Sequence, residues 1–282
     1  MADDLPSQVH EALTLYLERM NEQEDGLLQG FYLYGSIALG DYYAHCSDID
    51  FVAVTDKRLT DRQYAVVSNV HKEVEKRFPK SRMGGIYVTW DDLGKLHTDI
   101  EPFPYYTDGR MKRAGYFELN LVTWYELKHH GIRLIGPAVD ALELTIDREK
   151  FIQNMHVNLN TYWMNWMDKA VSRLRPYSLL VWLSDSPIEW GVLGITRLWY
   201  TFREHQVTSK VGAGEYAMKQ VPERWHTILQ EAIRIRRGGG VSYYRSRKQR
   251  KTDALAYMAY MMKECNAMFP DRNGVQIGGY NG

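Results

Sequence analysis

Asp48 and Asp50 stand two residues apart in the run Asp-Ile-Asp-Phe-Val-Ala-Val at 48–54, and Gly35-Ser36 closes the apolar run before it. In a strand alternate side chains share a face, so both carboxylates point one way while Ile49 and Phe51 point into a core. That pair suits Mg²⁺, a hard cation that takes few protein oxygens and fills its shell with water and phosphate oxygens. Gly35 has no Cβ and lets the backbone approach a bulky anion. Ser36 adds a hydroxyl, and amides of the following turn add donors. An isolated Asp-x-Asp is ordinarily a solvated strand edge, and a Gly-Ser alone carries little. The combination is different, because burying two acids on one face without a cation is costly. It reads as a metal–nucleotide site: Asp48 and Asp50 as catalytic metal ligands, Gly35 and Ser36 against phosphate, and His45 and Cys46 as loop residues.

The elements that must position these groups follow from periodicity. Val9, Leu13, Tyr16, Leu17 and Met20 recur at helical spacing in a helix over 5–20, and Val66, Val67, Val70, Val74 and Phe78 do so in a helix over 61–78, closed by Pro79. Residues 31–34, 48–54 and 84–90 are short, β-branched or aromatic, and bounded by turns, which predicts three strands. Strands alternating with helices predict an α/β domain with a mixed sheet over 1–145. From Phe151 to Leu174 apolar residues recur every three or four positions, which predicts a helical bundle over 146–282. The fold class is therefore α+β. Breaks in the bundle are expected at Arg-Pro-Tyr-Ser (175–178), Ser-Asp-Ser-Pro (184–187), Lys-Val-Gly-Ala-Gly (210–214) and Arg-Arg-Gly-Gly-Gly (236–240), with a frayed tail over 271–282. Trp163, Trp166, Trp182 and Trp199 read as core.

At 282 residues the chain can hold two domains. Its 35 Lys and Arg balance 35 Asp and Glu, which excludes a global field for nucleic acid or membrane surfaces. The two cysteines, with no CxxC, frame neither zinc nor a disulfide scaffold. No apolar stretch approaches a membrane span or a signal peptide. The expectation is a cytoplasmic protein with no membrane or nucleic-acid partner. One local exception is the stretch 234–251, with eight Arg or Lys and no acid. With its paired tyrosines it could bind polyphosphate or RNA, although such runs are most often solvated loops.

Residues 33–54 resemble the core signature of the DNA polymerase β-like nucleotidyltransferases: Gly-Ser, a loop, then Asp-x-Asp on the next strand. The segments at 131–142, 195–202 and 209–232 resemble the aminoglycoside adenylyltransferases that modify streptomycin and spectinomycin. The resemblance implies that ATP, with Mg²⁺, donates AMP to a hydroxyl of a small-molecule acceptor and pyrophosphate leaves. It also implies nucleotide contacts from Arg197, Lys210 and, with a side chain of another type than the family's, Arg236. The family's third acid, which binds metal and takes the acceptor's proton, falls here on Gly84, or on Gly85 with a slip of one. Losing a general base forfeits about 10²- to 10⁴-fold in rate. The surrogate expected here is Glu189, eight residues or about two helical turns before Arg197, facing with it the cleft between the domains. The alternative is an ordinary helix-start acid behind Pro187. Glu189 and the neighbouring Trp190 are also candidates for binding the acceptor. Glu118 is a second candidate base, more simply read as a helix-start acid. Two rival functions remain: nucleotidyl transfer to a protein, RNA or another metabolite, and nucleotide binding without catalysis.

Overall fold

The computed structural model describes residues 5–171, 181 and 183–269, which divide into two compact units, one ending at Ile146 and the other starting at Asp147. The first unit runs α1 Ser7–Gln23, β1 Gly30–Leu33, the single turn α2 Gly35–Ala38, β2 Ile49–Thr55, α3 Asp61–Arg77, β3 Met83–Thr89, β4 Phe103–Thr107, β5 Arg110–Gly115, α4 Leu121–His130 and β6 Ile132–Ile135. The strands form one six-stranded sheet in the order β5-β4-β3-β2-β1-β6. Only β2 and β3 are parallel, because the crossover through α3 returns the chain to the same end of the sheet. A capping box between Thr60 and Gln63 starts α3, and Lys76 and Arg77 complement the dipole at its end. The mixed sheet with helices is the α+β class that the alternation predicts.

Strand alternation sorts the sheet into two faces. Phe31, Leu33, Ile49, Phe51, Ala53, Met83 and Tyr87 pack with Val9, Leu13, Tyr16 and Met20 of α1 and Val67, Val70 and Val74 of α3. The Phe31 and Phe51 rings stack with centroids 5.0 Å apart, a contact that adds about 0.5–1.5 kcal/mol to the area term. The opposite face carries the site: Asp50 pairs in register with Gly84 on β3, and the Tyr34 amide donates to the Asp50 carbonyl at 3.1 Å.

Three elements exceed the expectation. The hairpin β4–β5 turns at Asp108-Gly109, both at positive φ (48° and 71°), as the Asp-Gly signal requires. β6 then covers the edge of β1. Glu118 is not a helix-start acid. Asn120 caps α4 through the amides of Val122 and Thr123, and Glu118 precedes it in a turn at φ 52°.

The second unit contains only helical elements among its described residues: α5 Arg148–Asn158, a π-helical stretch Leu159–Trp163, α6 Met164–Val171, α7 Ser186–Glu204, α8 Lys210–Met218, α9 His226–Arg237 and α10 Arg247–Ala267. α7 is its centre, packing against α8, α9 and α10. The break expected at 210–214 is absent, since those residues open α8 behind the Ser209 cap. Its glycine serves packing instead: a Cβ on Gly214 would stand 3.0 Å from Ile233 and from Leu193. Trp163, Trp166 and Trp199 are buried, whereas Trp182, residues 175–178 and the tail 271–282 lie outside the described residues. No helix among the described residues is long and apolar enough to cross a membrane.

One core group carries a pH dependence. His71 is fully buried, its Nε2 is 2.6 Å from the Tyr87 hydroxyl, and its ring stacks on Tyr106 at 3.7 Å. Burial pushes its pKa down to about 3, against about 6.5 in an unfolded chain. Between those values the unfolded chain binds the extra proton, so the stability conferred by the neutral ring is full above about pH 6.5 and declines as pH falls. The loss by pH 3 should be on the order of 4 kcal/mol. Urea titrations across this range should show a shallower decline for His71→Phe than for the wild type. Parallel slopes would mean that another group governs the acid limb.

Candidate functional site

The carboxylates sit at the beginning of β2. Asp48 lies just before the strand, exposed, with Oδ1 3.0 Å from Arg82 Nε. Both side chains of that pair are about half exposed, so the contact is weak and yields readily to a stronger ligand. Asp50 is half-buried and lies against the Gly-Ser turn. Gly35 adopts φ 65°, and a Cβ there would fall 2.1 Å from Asp50 Oδ2; only glycine admits the carboxylate. The Ser36 Oγ and the Tyr42 hydroxyl are buried, with no hydrogen-bond partner among the described residues. Burial raises the Tyr42 pKa, and Asp48 and Asp50 raise it further. The Tyr34 phenol is held protonated by burial first, and then by the negative charges of Glu118, Asp50 and Glu126.

These features test the fit of a divalent cation. Two carboxylates share a face, a cradle there tolerates no Cβ, and orphaned hydroxyls adjoin it. The residues fit a hard cation with few protein ligands and a phosphate-bearing partner. A third protein acid is missing: among the described residues no group of three or more His, Cys, Asp or Glu is arranged to hold a metal. The register identifies where one would stand. Gly84 is abreast of Asp50, and a Cβ there meets nothing within 4 Å. Gly85 pairs with Phe51 instead, and a Cβ would come 2.3 Å from its carbonyl oxygen. Of the two registers considered, Gly84 is the one beside the site. Asp92 is engaged elsewhere, accepting from the Thr89 amide and paired with Arg58.

In the second unit the residues singled out separately converge. Glu189, in the first turn of α7, is 6% exposed. Its Oε1 accepts from Lys210 Nζ at 3.0 Å and lies 3.5 Å from Arg236 Nη1. Lys210 Nζ also stands 4.4 Å from the centroid of the Trp190 ring, a cation–π contact. Trp190 donates from Nε1 to the Tyr162 hydroxyl at 3.0 Å and remains 44% exposed. Burial lowers the Lys210 pKa; Glu189 works against that shift, while Arg236 and Arg197 add to it. Arg197 thus bears electrostatically on Lys210. Two cations on one buried acid, with Arg197 acting on Lys210, leave an excess of positive charge that favours an added anion.

Arg236 leaves the solvated-loop reading behind, since it is 6% exposed in the last turn of α9. Of the eight cations in the basic stretch, Arg234, Arg236 and Arg250 turn inward onto acids. Sequence reasoning missed Tyr34, Tyr42, Glu231 and Arg250. Tyr34 was accessible through its place opposite Asp50. Glu231 and Arg250 lie on different helices, and no spacing rule joins them.

Two known families match parts of the chain: the nucleotidyltransferase domain over residues 15–81 and the aminoglycoside adenylyltransferase C-terminal domain over 178–264. Curated aminoglycoside (3'') (9) adenylyltransferases from Klebsiella pneumoniae and Escherichia coli are each 24% identical over 227 residues, covering 73% of this chain and 76% of those proteins. The crystal structure of the spectinomycin adenyltransferase AAD(9) from Enterococcus faecialis with ATP and spectinomycin matches with a TM-score of 0.64. It is 15% identical and the match covers 90% of this chain and 99% of that one. That likeness extends the shared fold across both units.

Proposed function

We propose, for a chain that is an aminoglycoside-adenylyltransferase-like nucleotidyltransferase, that it moves AMP from ATP to a hydroxyl of an aminoglycoside-like antibiotic with the help of Mg²⁺. The observation that carries the reading is the Gly35 cradle against Asp50, with the Ser36 hydroxyl buried beside it and without a partner among the described residues. The proteins matched by sequence are named for adenylylation of aminoglycosides, and the matched structure contains ATP and spectinomycin.

Asp48 and Asp50 would hold the cation, which supplies charge neutralisation for the triphosphate and for the departing pyrophosphate. Ser36 would donate to a phosphate oxygen, which answers its buried hydroxyl. Lys210, Arg197 and Arg236 would supply positive charge to the nucleotide. Such preorganised charge outweighs flexible surface cations, because it costs no reorganisation during reaction. The exposed part of the Trp190 ring would stack on the acceptor. We assign two tasks to Glu189: its Oε1 orders Lys210 and Arg236, and its Oε2 takes the proton of the acceptor hydroxyl. The oxygen so freed attacks the α-phosphorus as the bond to pyrophosphate breaks.

The test mixes the protein with Mg·ATP and a panel of aminoglycosides, following pyrophosphate release and the mass of each drug. An AMP-sized gain on one drug supports the proposal, and bound ATP with no release from any drug overturns it. Glu189→Gln keeps an oxygen for the cations and cannot take the proton, so kcat should fall by about 10²-fold or more while the KM for ATP changes less. A raised KM at unchanged kcat would leave Glu189 only its ordering role.

A further inference from the structure

We infer that Glu231 is the positioning residue that holds Arg236 and Glu189 in register. The inference rests on the proposed role of Arg236 and Lys210 in meeting nucleotide. Glu231, in α9, is 0% exposed. Its carboxylate accepts the Arg234 fork, Nε to Oε2 at 3.0 Å and Nη2 to Oε1 at 3.0 Å. It also accepts Ser242 Oγ at 2.8 Å, the Tyr243 amide at 3.0 Å and Arg250 Nη1 at 3.2 Å. Five donors on one buried carboxylate leave it little freedom. Burial works to raise its pKa, but the bonds from Arg234, Ser242 and Tyr243 outweigh that and hold it at about 2.

The network then reaches α7. Arg250 Nη1 lies 2.5 Å from Asp185 Oδ1, its Nη2 donates to the Ser184 carbonyl at 3.3 Å, and Arg234 Nη2 is 3.6 Å from Asp185 Oδ2. Asp185 sits immediately before α7, one helical turn ahead of Glu189. Glu231 sits in α9, little more than one turn ahead of Arg236. The two helices are thus pinned through Glu231 and Arg250 about a turn away from where Glu189 meets Arg236. The same carboxylate folds back the loop after the Gly238–Gly240 run, through Ser242 and Tyr243. A long guanidinium such as Arg236 has many rotamers, and fixing its helix against α7 is what makes its 3.5 Å contact with Glu189 reproducible.

The test uses the full chain with Glu231→Gln and, as a milder variant, Arg234→Lys, which loses the forked contact but keeps the charge. Four quantities are compared well below each variant's unfolding temperature: KM for Mg·ATP, kcat, Tm, and the rate at which acetic anhydride labels Lys210, read by mass spectrometry. The inference expects KM to rise roughly tenfold with kcat much less affected, and Lys210 to label faster in both variants. A lower Tm with unchanged KM and unchanged labelling would overturn it and leave Glu231 a purely stabilising role. A wild type that binds no ATP would sink the proposed function instead, and the Lys210 labelling rate would still decide the role of Glu231. If Glu231→Gln does not fold, Arg234→Lys decides alone by the same quantities.

Discussion

Asp50→Asn is expected to reduce AMP transfer by at least about 10³-fold while leaving the protein folded. A metal at a phosphoryl centre supplies several kcal/mol of charge stabilisation, and each ~1.4 kcal/mol is tenfold in rate. Asp50 is half-buried beside the glycine cradle and the buried Ser36 hydroxyl, whereas Asp48 is exposed, so of the two carboxylates its charge is the less screened by water. Asp48 is exposed and shared with Arg82, so Asp48→Asn should act in the same direction with a smaller loss. Single-turnover rates with Mg·ATP and a modified acceptor measure the effect, and calorimetric titration with Mg²⁺ checks its cause. Transfer within tenfold of the wild type by Asp50→Asn would remove this residue from the metal site.

Gly84→Glu should raise kcat, by up to about 10²-fold, the lower end of what a general base contributes. The parallel register sets position 84 beside Asp50, and a Cβ there meets open space. The backbone there can therefore carry a Cβ without displacing a neighbour. Two like charges abreast should cost some stability without cation, and Mg²⁺ should restore it. The gain should be larger in the Glu189→Gln background, where the assigned base is gone, so the two sites form a double-mutant cycle with a large interaction term. Gly85→Glu is the control: its Cβ would collide with the Phe51 carbonyl, and it should misfold or lose activity. A Gly84→Glu enzyme that folds and binds Mg·ATP yet is no faster would mean that proton removal does not limit this reaction.

The legible parts of the molecule were those with local signatures. The α1 and α3 stripes and the Asp-x-Asp strand follow from periodicity; Gly35 is expected for close approach of an anion, and the structure shows in addition that the Asp50 carboxylate occupies the space of its Cβ. Much of what was missed was nonlocal. Nothing in the spacing of Glu189, Lys210 and Arg236 announces that one carboxylate oxygen faces both cations, because three helices must first pack. The same holds for Glu231 and Arg250, which turned part of an apparently solvated basic run inward. The stretch at 210–214 misled in the opposite direction: its glycines read as a breaker, and tertiary approach from Leu193 and Ile233 makes Gly214 a helix-packing position. The Asp108-Gly109 hairpin, by contrast, carries its signal locally in its two turn residues.

The strand order has a consequence for how the protein is made. β1 leads directly into the Gly35 cradle, yet its outer neighbour is β6, the last strand of the first unit. During synthesis α1, β1, β2, α3 and β3 are all exposed to solvent and partners well before Ile135 leaves the ribosome. Until then β1 has an open backbone edge, which is where nascent chains pair wrongly. The face that carries Asp50 is thus assembled first, and the edge of its sheet is covered last. A nascent chain stalled before Ile132 should carry its carboxylates in place on a sheet that is still sticky, and should need a chaperone more than the finished protein does.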